Sequence, residues 1–213
     1  MKRREFPAAL ADSATLRTPK RDAYSRRDGL LDAAEERFAA EGVTQASLQA
    51  IGAAVGLAPY AVRAQYGNRD IVLEGVIDRH LDRLIDRIRT YQALGEATDP
   101  AARLGEAIGH LLDMLWAYRA GQRVHVAAVA GASPALARSL KLRQRHLVYF
   151  YAGLIAAAVP EAQELAMPAA LSLMGMASWH VLWFRERGAL GRAEYAAMVA
   201  NMVIEGVRAS VRQ

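Results

Sequence analysis

The sequence predicts an all-α protein, a three-helix N-terminal head joined to a larger helical body, about nine helices in all. From Leu30 onward apolar residues recur at intervals of three and four, and no stretch shows the alternation of a strand pair. Breaks between these periodic stretches fall at Gly42, Gly56, Gly95 to Pro100, Arg119 to Gly121, Gly131 to Pro134, Pro160 and Gly188 to Gly191. The chain has 213 residues, 53% of them hydrophobic, which is enough to bury a sizeable core. One large helical domain and a head with a body are both compatible with that length; the second is expected. Cysteine is absent, which excludes a disulfide framework and a thiolate metal site and makes a reducing cytosol the simplest compartment.

In the first predicted helix Leu30, Leu31, Ala34, Phe38 and Ala39 share one face, and Gly42 follows the last apolar position as a helix-ending glycine does, so the helix stops near Glu41. Ser47 then offers an N-cap hydroxyl to Leu48, Ile51 and Val55, and Gly56 reverses the backbone. Pro59 restarts a helix that runs to about Tyr66, because a first turn tolerates a missing N–H. Two short helices around such a turn form a helix-turn-helix, whose second helix enters the major groove in proteins that read DNA. From Gly42 to Arg69 there is no carboxylate, while Arg63 and Arg69 are present, so this surface does not repel a phosphate backbone.

Taken together, LLDAAEERFAAEG and SLQAIGAAVGLAPYAVRAQYGNRD resemble the N-terminal domain of tetracycline-repressor-like (TetR family) transcriptional regulators. In that family a hydroxyl residue opens the second helix, an aromatic closes the third and a basic residue follows; Ser47, Tyr66 and Arg69 occupy those places. Two positions depart: the tyrosine usually aimed at a phosphate is Arg63, and the polar residue after it is Ala64. The Arg63 guanidinium suits either a phosphate, held bidentately, or guanine in the groove. The capping serine before the third helix is replaced by Ala58, which costs that helix a few tenths to about 1 kcal/mol. The resemblance implies Ser47 and Arg69 on backbone phosphates, and Pro59 and Tyr60 on base edges or a thymine methyl, within a candidate surface that also includes Leu48, Gln49, Ala61 and Gln65. It further implies a sequence-specific, ligand-responsive transcriptional repressor that binds a palindromic operator in double-stranded DNA as a homodimer, cytoplasmic and associated with the nucleoid when on DNA. With Ala58, Ala61 and Ala64 on the recognition helix, the alternative is a ligand-binding helical dimer that has lost sequence-specific reading. The expected divisions are a basic disordered arm over 1–25, the helix-turn-helix domain over 26–72, and a helical effector-binding and dimerisation domain over 73–213.

Residues 1 to 28 hold eight Lys or Arg and four Asp or Glu, a net +4 of the chain's +5. Such an arm can lie on phosphates or enter the minor groove; it can equally be a solvated terminus, since Pro7, Pro19 and the lack of periodicity argue against an ordered element there. Its basic residues precede no continuous apolar run, so no export signal is expected.

After Asn68, a candidate N-cap with Asp70 in the first turn, a long fourth helix is expected to join head to body. Leu81, Leu84, Ile85 and Ile88 form its apolar stripe. Asp78, Asp82 and Asp86 beside Arg79, Arg83 and Arg87 suggest a solvated ion-pair ladder along it. A pivot of this helix would change the separation of two recognition helices. Five more helices fit, near 101–118, 122–130, 135–158, 162–187 and 192–211.

The run from Leu165 to Phe184 carries no formal charge and is long enough to cross a bilayer, but Pro168, Ser172, Ser178 and His180 dilute it, so burial in a core or a subunit interface is expected and no membrane. Ala170, Gly175 and Ser178 permit close approach of a partner helix, with Trp179 and Trp183 as anchors. Tyr195, Met198 and Met202 of the last helix complete the expected dimer interface, which by resemblance is built on the final two long helices and sets two recognition helices roughly 34 Å apart. A small-molecule effector, hydrophobic or aromatic, is expected in the body, with Leu112, Trp116, Val124, Met174 and Met176 as candidate lining and Tyr149, Tyr151 and His180 as candidate polar contacts.

No phosphate-binding glycine loop and no nucleophile with an oriented base can be recognised, so no enzyme and no cofactor are expected. Glu106, His110 and Asp113 stand at i, i+4 and i+7, a set able to hold a divalent cation or relay protons. Three ligands on one helix face rarely converge on an ion without a second element, so a polar face and no metal are expected.

Overall fold

The computed structural model describes residues 19–93, 99–131 and 134–211. Among them every regular element is helical, as expected. Helix α1 (Pro19–Glu41) places Leu30, Leu31, Ala34 and Phe38 in the core and ends where Gly42 adopts φ 91°, its N–H donating to the Phe38 carbonyl at 3.1 Å. The helix already begins at Pro19, so residues 19–25, expected within a disordered arm, have helical backbone; proline is at home in a first turn. The rest of the expected arm lies outside the described residues. Helices α2 (Leu48–Ala54) and α3 (Pro59–Tyr66) follow, separated by Gly56 at φ 69°.

Helix α4 (Arg69–Ala93) leaves the head with Asn68 Oδ1 accepting from the Ile71 N–H at 3.0 Å, the expected cap. The charges on α4 do not form the expected ladder along one helix. Arg79 reaches Asp32 at 2.9 Å and Glu35 at 3.0 Å on α1, and Arg83 reaches Glu35 at 3.2 Å. On the other side Arg143 holds Asp78 at 3.0 Å and Asp82 at 3.1 Å, whereas Asp86 pairs within α4, with Arg89 at 3.1 Å. Adjacent residues on a helix point apart, so each series meets a different neighbouring helix rather than the other.

The body comprises α5 (Pro100–Ala117), α6 (Arg119–Gly131), α7 (Pro134–Ala158), a 3-10 turn over Pro160–Leu165, α8 (Ala166–Trp183) and α9 (Arg192–Val211). Asp99 caps α5 by accepting from the N–H groups of Ala101 and Ala102. Leu104, Ile108, Leu111, Leu112 and Leu115 of α5 are fully buried, and α5 packs on α7, α8 and α9. The helix expected over 162–187 is shorter at both ends: Ala162 has non-helical φ −125° and ψ 34°, and Phe184 turns extended at ψ 140°. With its preceding turn, α8 is long and apolar enough to cross a bilayer by length and composition alone. Ala166, Ala170, Leu173, Ala177 and Val181 face the core, while Leu171, Trp179, Leu182 and Trp183 face outward.

Three buried histidines lie in this core. Burial pushes His80, His125 and His180 down, His125 to about 4. Gln144 Nε2 donates to His125 Nε2 at 2.9 Å, which requires the neutral ring. A histidine whose folded pKa is depressed binds fewer protons folded than unfolded, so its stabilisation is complete above about 6.5 and is lost as pH falls toward about 4. The thermal midpoint is therefore expected to fall across that window, and His125→Gln is expected to flatten the slope measured by circular dichroism.

Candidate nucleic-acid interface and effector cleft

The α2–α3 hairpin is held by close approach. A Cβ built on Gly52 would overlap the Val62 Cγ2 methyl and lie 3.3 Å from the Leu57 carbonyl oxygen; Val62 is fully buried. Sequence reasoning missed Gly52, because a glycine inside a helical pattern shows no partner until α3 is in place. Ser47 Oγ accepts from the Ala50 N–H at 3.1 Å and caps α2, whereas Ala58 gives α3 no side-chain cap.

With Val62 turned inward, α3 presents Pro59, Tyr60, Arg63, Ala64 and Gln65 to solvent, together with Ala58 before it and Ser47 and Gln49 from α2. Tyr60 is 79% exposed although nothing in the head requires an aromatic side chain there. Leu48, Ala61 and Tyr66 are half-buried, and Leu48 and Tyr66 pack against the core, so these two help fix the hairpin. Arg69 is half-buried: its Nη1 donates to the Thr44 carbonyl at 2.7 Å and its Nη2 lies 3.5 Å from Asp70. It thus ties the α1–α2 loop to the start of α4 while keeping an exposed edge.

In the body, a cleft of about 320 Å³ opens between α4, α5 and α7. Ile88, Tyr91, Met114, Tyr118, Phe150 and Tyr151 form its walls, and Arg87, Thr90, His110 and Asp113 its mouth. Tyr91 lies tilted against the His110 ring at 5.2 Å and meets Phe150 edge-on at 6.3 Å. The Tyr91 and Tyr151 hydroxyls donate to the carbonyls of Arg103 and Ala107, at 3.1 and 3.0 Å, and burial pushes both phenols up. The walls therefore offer aromatic surface and phenol lone pairs, with charge only at the entrance. A larger groove, about 850 Å³, runs between α5 and α9, but it is a shallow surface of alanines and glycines with charged edges.

The structure puts most of the expected pocket residues elsewhere. Leu112 and Val124 belong to the core, Met174 and Met176 are half-buried, and Tyr149 is exposed. Trp116 and His180 join an aromatic cluster with Phe184 and Tyr195, with ring separations of 5.5 to 6.2 Å. Of the residues considered, Tyr151 lines the cleft. Tyr91, His110 and Phe150 were missed because they converge from three helices far apart in sequence. Glu106, His110 and Asp113 do not converge: His110 packs tilted against Tyr91 and Asp113 lies 3.4 Å from Arg192. Among the described residues no group of three His, Cys, Asp or Glu side chains is placed to hold a metal ion.

A helix-turn-helix head on an all-helical body defines a class of transcriptional regulators, and the comparisons agree. The sequence family described as tetracyclin repressor-like, C-terminal domain, matches residues 97–207. The chain belongs to the tetracycline-repressor-like (TetR) family of transcriptional regulators. No curated protein matches the sequence. Similar folds occur in a TetR-family regulatory protein from Rhodococcus RHA1 (TM-score 0.75, 18% identity, covering 85% of this chain and 96% of that one). They occur also in the fatty acid degradation regulator FadR from Bacillus halodurans (0.71, 20%, 86% and 96%). A third is AibR in complex with isovaleryl coenzyme A and operator DNA (0.68, 20%, 83% and 97%).

Proposed function

We propose that this protein is a cytoplasmic, ligand-responsive repressor that binds a palindromic operator as a homodimer and is released by an apolar or aromatic small molecule. The observation that carries the reading is the solvent-facing side of α2 and α3, with Tyr60 and Arg63 outward and no carboxylate between Gly42 and Arg69. The α4–α5–α7 cleft is the effector site in this reading, and its aromatic walls support an apolar ligand. AibR, which shares the fold, has been solved in complex with isovaleryl coenzyme A and operator DNA, which supports a small-molecule site and a DNA site in one protein but not the release step. The outward apolar side chains of α8 and α9, among them Trp179, Met198 and Met202, support burial against a second copy.

Selection of bound fragments from a genomic DNA library by purified protein tests the reading. A palindrome with half-sites about one helical turn apart is expected. On that fragment Arg63→Ala is expected to cost about 1–3 kcal/mol if the guanidinium reads a base, relaxing specificity at one position. It weakens all sequences alike and lowers the salt slope by about one if the contact is a phosphate. The run of Ala58, Ala61 and Ala64 favours a second reading, a ligand-binding dimer without sequence preference. Folded, dimeric protein that enriches no sequence would establish that instead.

A further inference from the structure

Two polar groups, not bonded to each other but both lying against Gly121, join the head to α4 and α4 to α8, and take no part in the DNA-facing surface or the cleft. The first centres on Glu35 of α1, which is nearly enclosed; its Oε2 accepts from Arg79 Nη2 at 3.0 Å and from Arg83 Nη1 at 3.2 Å. Arg79 also donates through Nη1 to the Asp28 carbonyl at 3.1 Å and pairs with Asp32 at 2.9 Å. The next residue of α4, His80, is fully buried and bonds through Nε2 to Gln122 Oε1 on α6 at 2.7 Å. Gln122 Nε2 donates in turn to the Ser178 carbonyl of α8 at 3.4 Å. Gly121 fits between the two halves: a Cβ there would lie 2.9 Å from His80 Nδ1 and 3.2 Å from Glu35 Oε1, so α6 can rest on both only without a side chain.

Apolar helix surfaces tolerate small slides, whereas buried charges and hydrogen bonds have one register, because a displacement leaves a desolvated group unpaired. The contact of α1 with α4 and α6 is where the head meets the body. We infer that Glu35, His80 and Gln122 are positioning residues: the Glu35–Arg79–Arg83 cluster fixes the orientation of the head on the body, and the His80–Gln122–Ser178 line ties that orientation to α8. The inference concerns one chain and stands apart from the operator, the effector and the second copy.

The test is a distance measurement in the full protein without DNA. Since the chain has no cysteine, Glu36→Cys on exposed α1 and Glu161→Cys at the start of the 3-10 turn give two unique spin-label sites. Labelled protein diluted with unlabelled protein reports the pair within one chain whatever its oligomeric state. In pulsed dipolar spectroscopy Gln122→Leu, nearly isosteric, is expected to widen the distance distribution roughly twofold, as an opened domain contact does. Glu35→Gln is expected to do the same. The reciprocal exchange His80→Gln with Gln122→His, which restores the same pair of groups, is expected to narrow it again. An unchanged distribution in folded Gln122→Leu, whatever its thermal midpoint, would overturn the inference and leave these residues a packing role only. If Glu35→Gln does not fold, Gln122→Leu decides alone.

Discussion

Gly52→Leu is expected to unfold the head and abolish operator binding while the body remains helical. The close approach of α2 to α3 leaves no room at this position. The Val62 side chain that would have to retreat is fully buried, and its β-branch holds one rotamer in a helix. Helix propensity opposes the effect, since alanine is better than glycine inside a helix by about 1 kcal/mol. Gly52→Ala is therefore expected to show the balance, a net loss near the low end of the 1–3 kcal/mol typical of overpacking. Combining Gly52→Ala with Val62→Ala should recover part of it by removing the methyl that is struck. Hydrogen exchange resolved to α2 and α3, read beside operator affinity, checks the series. Wild-type affinity in Gly52→Leu would mean that the hairpin is far more compliant than its geometry indicates.

The second large effect is expected from Leu171→Glu with Trp179→Glu. Both side chains face solvent in the single chain, so neither substitution removes a core contact, and the folded monomer should be little affected. If α8 packs against a second copy, two carboxylates from each copy are buried without partners. A loss of about 4 kcal/mol, roughly a thousandfold in dimerisation, is then a conservative expectation. Sedimentation equilibrium should show the parent as a dimer and the variant as a monomer, with operator affinity falling in step because two half-sites no longer bind as one. A parent already monomeric would remove the dimer from the proposed function; a variant still dimeric would move the interface away from α8.

What could be read from the sequence was local. The bounds of α2 and the start of α3 followed from Ser47, Gly56 and Pro59, each of which acts on its own turn of backbone; the structure has Leu48–Ala54 and Pro59–Tyr66, the latter ended by Gly67 at φ 76°. The end of α8 was not legible, because Phe184 is apolar and continues the helical pattern; what stops the helix is its extended backbone. Gly52 and Gly121 illustrate the same limit from the other side. Each looks like a helix-weakening residue, and each is explained only by the side chain lying against it, Val62 in one case and His80 with Glu35 in the other. The cleft was illegible for the same reason. Tyr91, His110 and Phe150 carry no common periodicity, and their proximity is a property of how three helices pack.

In the proposed complex with DNA, a backbone phosphate at Arg69 would have to compete with the Thr44 carbonyl that the guanidinium already holds. A phosphate that draws Arg69 away returns an unbonded carbonyl to the α1–α2 loop, so part of the attraction is spent on releasing the protein from itself. Arg69→Ala would remove the attraction and the internal bond together. Its effect on affinity would then understate the strength of the phosphate contact, and the difference would be visible as faster amide exchange at residues 42–46 in the free protein.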